Sequence, residues 1–124
     1  MKKLLVIVTI LISINSQALF LNYCMNTGNQ YSSSFGFCIN DNFRSIEREI
    51  DELIYLSNCD NYMSDGISSS FEFCINQNFR SIERALDYKL FLSYCYNSDQ
   101  DLVDYFFVSC VNNNFRSIER EIDK

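Results

Sequence analysis

The sequence predicts an all-α protein built from three disulfide-clamped helical repeats of about 36 residues each. The motif NFRSIER occurs three times at a constant interval, six cysteines recur in step with it, and the apolar residues of each block follow helical spacing. We expect the helices to run up and down, antiparallel to one another, in a small bundle. A short solenoid with two helices per repeat is the alternative.

The start of the chain has the features of a cleavable export signal. Met1–Lys3 is basic, Leu4–Ile12 is apolar, and the small residues Ser16 and Ala18 fit a cleavage site after Ala18. The apolar run is short for a bilayer span, so no stable membrane insertion is expected after cleavage. Residues 1–18 are therefore predicted to be removed. Residues 19–124 would form a single domain, with repeats at about 21–55, 56–91 and 92–124.

The composition argues against catalysis and against nucleic acid as a partner. The 124 residues include no His, and their formal net charge is −6, which would become −8 after loss of Lys2 and Lys3. Without His the chain lacks the usual general base and the commonest metal ligand. An acidic chain also repels phosphates and anionic lipid surfaces. We expect no enzyme activity, no metal, no cofactor and no nucleic acid, and an unknown protein is a possible partner.

Each repeated block is predicted to be helical because its apolar residues form one stripe about 100° wide. In the first copy these residues are Phe35, Ile39, Phe43, Ile46 and Ile50. No Gly or Pro interrupts the chain from Phe37 to Cys59. We therefore expect one helix of about 24 residues per repeat, running from the polar loop to the next unit's first cysteine. A break near Asp51 or Asp87 would give the two-helix alternative.

The six cysteines are expected to pair in order, one bridge per unit. An even number in an exported chain indicates disulfides. In a continuous helix Cys38 and Cys59 would lie about 31 Å apart, far beyond the reach of a disulfide. Bridges across the polar loops remain, with separations of 14, 15 and 15 residues. The predicted pairs are Cys24–Cys38, Cys59–Cys74 and Cys95–Cys110.

The repeated polar residues give a candidate binding face. Each block carries two arginines at i and i+4, opposite the apolar stripe, with asparagines and a glutamate nearby. One interpretation is a repeated contact surface for a partner or an anionic group. The other is a solvated helix face with an Arg–Glu pair at i and i+3. The candidate residues are Arg44, Arg48, Arg80, Arg84, Arg116 and Arg120.

The function predicted from these features is a secreted or periplasmic protein with a non-catalytic binding or structural role. Four aromatic residues fall off the apolar stripe and are further contact candidates: Phe37, Tyr55, Phe73 and Phe91. The alternative is a secreted effector or enzyme inhibitor. It would act through the loops between the helices, such as Asp60–Ser70, because these share little sequence among the units.

Overall fold

The computed structural model describes residues 19–50, 54–87, 89–99 and 101–124, and it contains one helix per repeat. The helices are α1 (Ser33–Glu49), α2 (Ser69–Ala85) and α3 (Tyr105–Ile122). No strand occurs in these described ranges. The predicted all-α, disulfide-clamped repeat fold is confirmed. The predicted export signal lies outside the described residues.

The helices are shorter than the sequence suggested. They hold 17 or 18 residues, and α1 and α2 end at Glu49 and Ala85, well before the next unit's first cysteine. The chain that follows is not helical, and buried and exposed residues alternate along much of it, which is typical of extended backbone. Both the long helix and the second helix per repeat are therefore wrong over the described chain. We call residues 19–25, 54–60 and 90–96 the first, second and third return segments.

The three helices are parallel and related by an approximate threefold axis. The rings of Phe43, Phe79 and Phe115 meet pairwise at centroid distances of 5.2 to 5.3 Å. Eight residues earlier, Phe35 and Phe107 meet at 6.3 Å. Equivalent residues of α1 and α3 meet at two levels, so these two helices run in the same direction.

The second return segment runs opposite to α1, since its Leu56 and Cys59 bond to Glu47 and Asn40. It also runs opposite to α2, since its Ser57 and Cys59 join Asn78 and Cys74, so α2 is parallel to α1 as well. The expected antiparallel up-and-down arrangement is therefore wrong, because each return segment carries the chain back before the next helix begins.

The predicted apolar stripes form the core. The buried residues stack in layers in which each helix contributes an equivalent side chain at less than 3% exposure. These layers are Phe35, Phe71 and Phe107; Ile39, Ile75 and Val111; Phe43, Phe79 and Phe115; and Ile46, Ile82 and Ile118. Leu21, Leu56 and Leu92 of the return segments complete the core between the helices.

The disulfides join Cys24 to Cys38, Cys59 to Cys74 and Cys95 to Cys110, with Cα–Cα distances of 5.5 to 5.6 Å. This is the predicted pairing. Each bridge links a return segment to the helix of the same unit and closes the polar loop between them. None of the helices in the described chain is long and apolar enough to cross a membrane.

Candidate functional site

One asparagine of each repeated block holds the return segment of its own unit. The Asn42 side chain accepts a hydrogen bond from the backbone N–H of Asn22 at 2.9 Å and donates one to the Asn22 carbonyl at 2.8 Å. Asn78 and Asn114 make the same pair of bonds to the second and third return segments. The side-chain amide thus bonds both the N–H and the C=O of one return-segment residue, as the backbone of a neighbouring β-strand would.

The other asparagine of each block reaches the return segment of the following unit. Asn40 bonds both the N–H and the C=O of Cys59, at 2.7 and 2.8 Å, and Asn76 does the same for the third return segment. Asn112 bonds the N–H and C=O of Cys24 at 2.7 and 2.6 Å. This last contact joins α3 to the first return segment, so the three units form a closed ring.

The repeated glutamate is also part of this framework. Glu47 accepts the N–H of Leu56 at 2.7 Å, and Glu83 and Glu119 accept the equivalent N–H groups of the other return segments. Among the described residues, the ion pair found within 4 Å joins Lys124 and Glu121. The repeated glutamates therefore hold backbone N–H groups instead of the neighbouring arginines.

All six candidate arginines are exposed. Arg48, Arg84 and Arg120 lie in the last turns of their helices. Because the helices are parallel, their carbonyl ends lie at one end of the ring, where a cation is favourable. This gives these three arginines a structural role. Arg44 and its equivalents lie one turn earlier, outside that position.

Two equivalent grooves place an arginine beside an exposed aromatic ring. Arg80 and Phe91 line a groove of about 310 Å³ between α2 and the third return segment, together with Glu83 and Tyr94. Arg44 and its neighbours line a matching groove of about 240 Å³ between α1 and the second return segment. The lining of the second groove includes Glu47, Tyr55 and Asn58.

The third unit brings together the same elements. The Leu21 N–H donates to Glu119, as the N–H of Leu56 does to Glu47. The first return segment therefore lies along α3 in the same register, and Phe20 occupies the position of Tyr55 and Phe91. The three aromatic residues are 85%, 84% and 90% exposed. The ring thus presents three arginine-and-aromatic positions around its outer wall.

Comparison of the three units shows which exposed positions of the repeated block have diverged and which hold the same residue in every unit. The exposed helix positions 41, 77 and 113 hold Asp, Gln and Asn, so exposed positions of the block have diverged. Arg44, Arg80 and Arg116 are equally exposed, yet all three are arginine. No hydrogen bond or ion pair within the described residues accounts for that identity, whereas the asparagines and glutamates have clear framework roles.

The off-stripe aromatic residues singled out from the sequence are exposed. Phe37 and Phe73 lie on the helix surface, and Tyr55 and Phe91 lie on the return segments. Tyr55 and Phe91 belong to the two arginine grooves described above, and Phe37 lines a further groove of about 420 Å³ together with Arg44. The sequence prediction missed Phe20, whose signal was its place before the repeated Leu of the motif Leu-x-x-Cys.

The three variable loops share one organising residue that the sequence analysis missed. Asn26, Asn61 and Asn97 each lie two residues after a first cysteine, and each donates to two carbonyl groups of its own loop. Each also accepts the N–H of the residue that caps the following helix. The signal was the pattern Cys-x-Asn, hidden within otherwise unlike sequences.

The loops meet at one end of the ring. The N–H of Tyr31 donates to the Asp65 carbonyl at 2.8 Å, and the N–H of Val103 donates to the Asn29 carbonyl at 2.7 Å. Burial, and secondarily the charge of Asp60, raises the pKa of Tyr31 above its ordinary value. The parallel helices begin at this end, so it is distinct from the arginine-rich carbonyl end.

One loop carboxylate caps a helix and is held in its charged form. Asp104 accepts hydrogen bonds from the Ser98 hydroxyl at 2.7 Å and from the N–H of Phe106 at 3.0 Å. These two bonds, the hydroxyl first, lower the pKa of Asp104 below its ordinary value. The carboxylate therefore acts as a helix cap over the whole neutral range.

No protein-family model, curated protein or solved structure matches this chain. Over the described residues, no group of three or more His, Cys, Asp or Glu side chains is placed to hold a metal ion. Function must therefore be inferred from the chemistry of the grooves and of the loop end.

Proposed function

We propose that this chain is an exported, non-catalytic binding protein whose ligand contacts the three arginine-and-aromatic positions on the outer wall. The observation that carries the proposal is the identity of Arg44, Arg80 and Arg116, which are exposed and have no framework contact among the described residues. Arg44 and Arg80 each line a groove with an exposed aromatic residue, and Arg116 lies on α3 at the equivalent position, along which the first return segment with Phe20 runs in the same register. A surface kept in three copies without a structural need indicates a contact surface.

The chemistry of each groove favours an anionic group carried on a flat or apolar frame. A guanidinium presents planar donors that match a carboxylate bidentately, and it stacks on aromatic faces. The neighbouring aromatic ring adds an apolar face for the body of the ligand. The whole chain has a formal charge of −6, so its long-range field opposes a dense polyanion. We therefore propose ligands with single carboxylate groups.

The proposed compartment is the cell exterior or the periplasm. Three intramolecular disulfides are rare in a reducing cytosol and persist in oxidising surroundings. The basic and apolar start of the chain supports the same route. Bridges of 14 and 15 residues would each contribute about 3 kcal/mol in the chain-entropy description. Such a framework suits a small domain that works outside the cell.

The test compares two triple variants that remove the same charge. R44A/R80A/R116A deletes the groove arginines, and R48A/R84A/R120A deletes the arginines in the last helical turns. The disulfide-bonded proteins would be screened against immobilised carboxylated and neutral oligosaccharides and against acidic peptides. We expect the groove variant to lose binding to any carboxylated probe at least tenfold, and the control variant to keep it. Equal loss in both variants would show only a general charge effect and would refute the proposal.

A second candidate function is supported by the loop end. Three loops of different sequence meet there, as expected for a surface that varies while its framework stays fixed. Tyr62, Tyr96 and Phe106 are each more than 60% exposed on or beside these loops. If the chain inhibits an enzyme through these loops, replacing residues 62–66 should abolish the inhibition. The framework residues Asn61 and Ser68 would be kept in this variant. The groove variant would leave that inhibition unchanged.

A further inference from the structure

The backbone nitrogen of Leu19 lies against the end of α3. It is 2.8 Å from Oδ1 of Asp123, and the Leu19 side chain is only 5% exposed. We infer that cleavage after Ala18 turns this nitrogen into an α-ammonium, which binds Asp123 and ties the first return segment to α3 through an ion pair. The inference is independent of the groove ligand, and it rests on the cleavage site that the sequence predicts.

The contacts around Leu19 fix the position of its nitrogen. The buried side chain anchors the residue, and two residues later the N–H of Leu21 donates to Glu119. Glu119 in α3 and Asp123, the residue directly after this helix, are four residues apart, so their carboxylates receive alternate N–H groups of the same segment. The nitrogen therefore has a defined acceptor before and after cleavage. Cleavage changes its charge and adds two hydrogens.

The electrostatics at this end of α3 favour a cation. Asp123 follows the last residue of α3, where the carbonyl ends of the helix make a carboxylate unfavourable. Lys124 pairs with Glu121 at 2.8 Å, and no cationic side chain in the described chain lies within 4 Å of Asp123. An α-ammonium at Leu19 would supply this charge, and charge-assisted hydrogen bonds are about twice as strong as neutral ones.

The order in which the chain connects helices and return segments explains why a contact between Leu19 and Asp123 would stabilise the fold. Between α1 and the second return segment, and between α2 and the third, the chain itself makes the connection. Between α3 and the first return segment there is no such direct chain connection. Side-chain hydrogen bonds make the contact there, beside the backbone hydrogen bond that joins Val103 and Asn29 of the adjoining loops. The ion pair would restrain the junction between α3 and the first return segment, as the direct chain connection restrains the other two junctions.

The experiment is a double-mutant cycle on the disulfide-bonded protein. Four chains would be released from a cleavable fusion: one starting at Leu19, one carrying Gly-Ser-Gly-Ser-Ala before Leu19, and each of these with Asp123→Asn. The extension keeps the Leu19 N–H as an amide, and the asparagine keeps an oxygen acceptor. The coupling between the two changes therefore isolates the charge. Unfolding would be followed in urea at low ionic strength.

We expect the chain starting at Leu19 to have an unfolding equilibrium constant two- to fivefold smaller than that of the extended chain, as for a solvent-exposed ion pair. The difference should vanish with Asp123→Asn and shrink in 0.5 M NaCl. Equal stabilities of the two chains with Asp123 would overturn the inference. N-terminal sequencing of the exported protein is the second measurement, and a first residue other than Leu19 would also overturn it.

Discussion

Removal of the Asn112 side chain should open the ring at its closing contact. Asn112 is 5% exposed and Cys24 is fully buried. The amide satisfies both backbone groups of Cys24, through hydrogen bonds of 2.7 and 2.6 Å across 88 residues of sequence. In Asn112→Ala both backbone groups of Cys24 lose their partner in a buried environment.

The expected cost follows from these two groups. An unsatisfied buried donor or acceptor costs about 1–3 kcal/mol, so the pair costs about 2–6 kcal/mol. Alanine regains up to about 0.7 kcal/mol of helix propensity over asparagine. The net expectation is a loss of about 1–5 kcal/mol. Since small domains have about 5–15 kcal/mol of stability, the variant should still fold under native conditions.

The assay is urea unfolding monitored by circular dichroism, with the disulfides intact. Asn113→Ala is the matched control, because residue 113 is exposed on the same helix and the same substitution there changes little besides propensity. Asn113→Ala should lie within about 0.5 kcal/mol of the parent protein. If the two variants differ by less than about 1 kcal/mol, the framework role of the asparagines is wrong.

Three further predictions concern the core, the disulfides and a helix cap. Phe79→Ala should cost about 3–5 kcal/mol of stability. Because the Phe79 and Phe115 rings contact each other, the double variant with Phe115→Ala should cost less than the two single variants together. Thermal denaturation measures all three variants. Replacing Cys59 and Cys74 by serine should cost about 3 kcal/mol in urea unfolding. Because the folded-state pKa of Asp104 is lowered, its contribution is present above its ordinary value of 3.8 and is lost as the pH falls through the lower folded value. Asp104→Asn should therefore lose less stability than the parent on acidification below pH 3.8, in parallel urea titrations.

Much of the fold could be predicted from the sequence because its signals are local. The period of three to four residues identified the apolar stripe, and every layer from Phe35 to Ile46 is buried as expected. The disulfide pairs were predicted correctly, although that prediction assumed a continuous helix from Cys38 to Cys59 and α1 ends at Glu49. The ends of the helices could not be predicted in this way. α2, for example, is followed by Asp87 with φ of 58°, a left-handed position usually held by glycine.

The predicted direction of the helices was wrong because the return segments were predicted to be helical. In Leu-Phe-Leu and Ile-Tyr-Leu the apolar and aromatic residues alternate in exposure with a period of two, a signal that helical spacing can hide over so few residues. A helix of 17 residues is about 26 Å long, and seven extended residues span about 23 Å. One short segment can therefore return the chain along a whole helix, which makes a parallel arrangement possible.

The candidate site required the structure, because sequence alone gave all repeated polar residues equal weight. Asn40, Asn42, Arg44 and Glu47 are adjacent in one motif and identical in the three units. Only their contacts show that the amides and the carboxylate hold return segments, while the Arg44 guanidinium faces a groove. Framework contacts thus explain the identity of the repeated asparagines and glutamate, and they do not explain the identity of the repeated arginine in the same short stretch of chain.

The same contacts fix the number of units at three. In an open solenoid each unit contacts only its neighbours, so units can be added at either end. Here Phe43, Phe79 and Phe115 all touch one another, and Asn112 returns to Cys24 of the first unit. A fourth unit would have to separate three mutually packed rings and break the closing amide bonds, leaving buried groups without partners. The closed arrangement of the units therefore places three arginine-and-aromatic positions around its outer wall, and any ligand that binds them all must offer three groups.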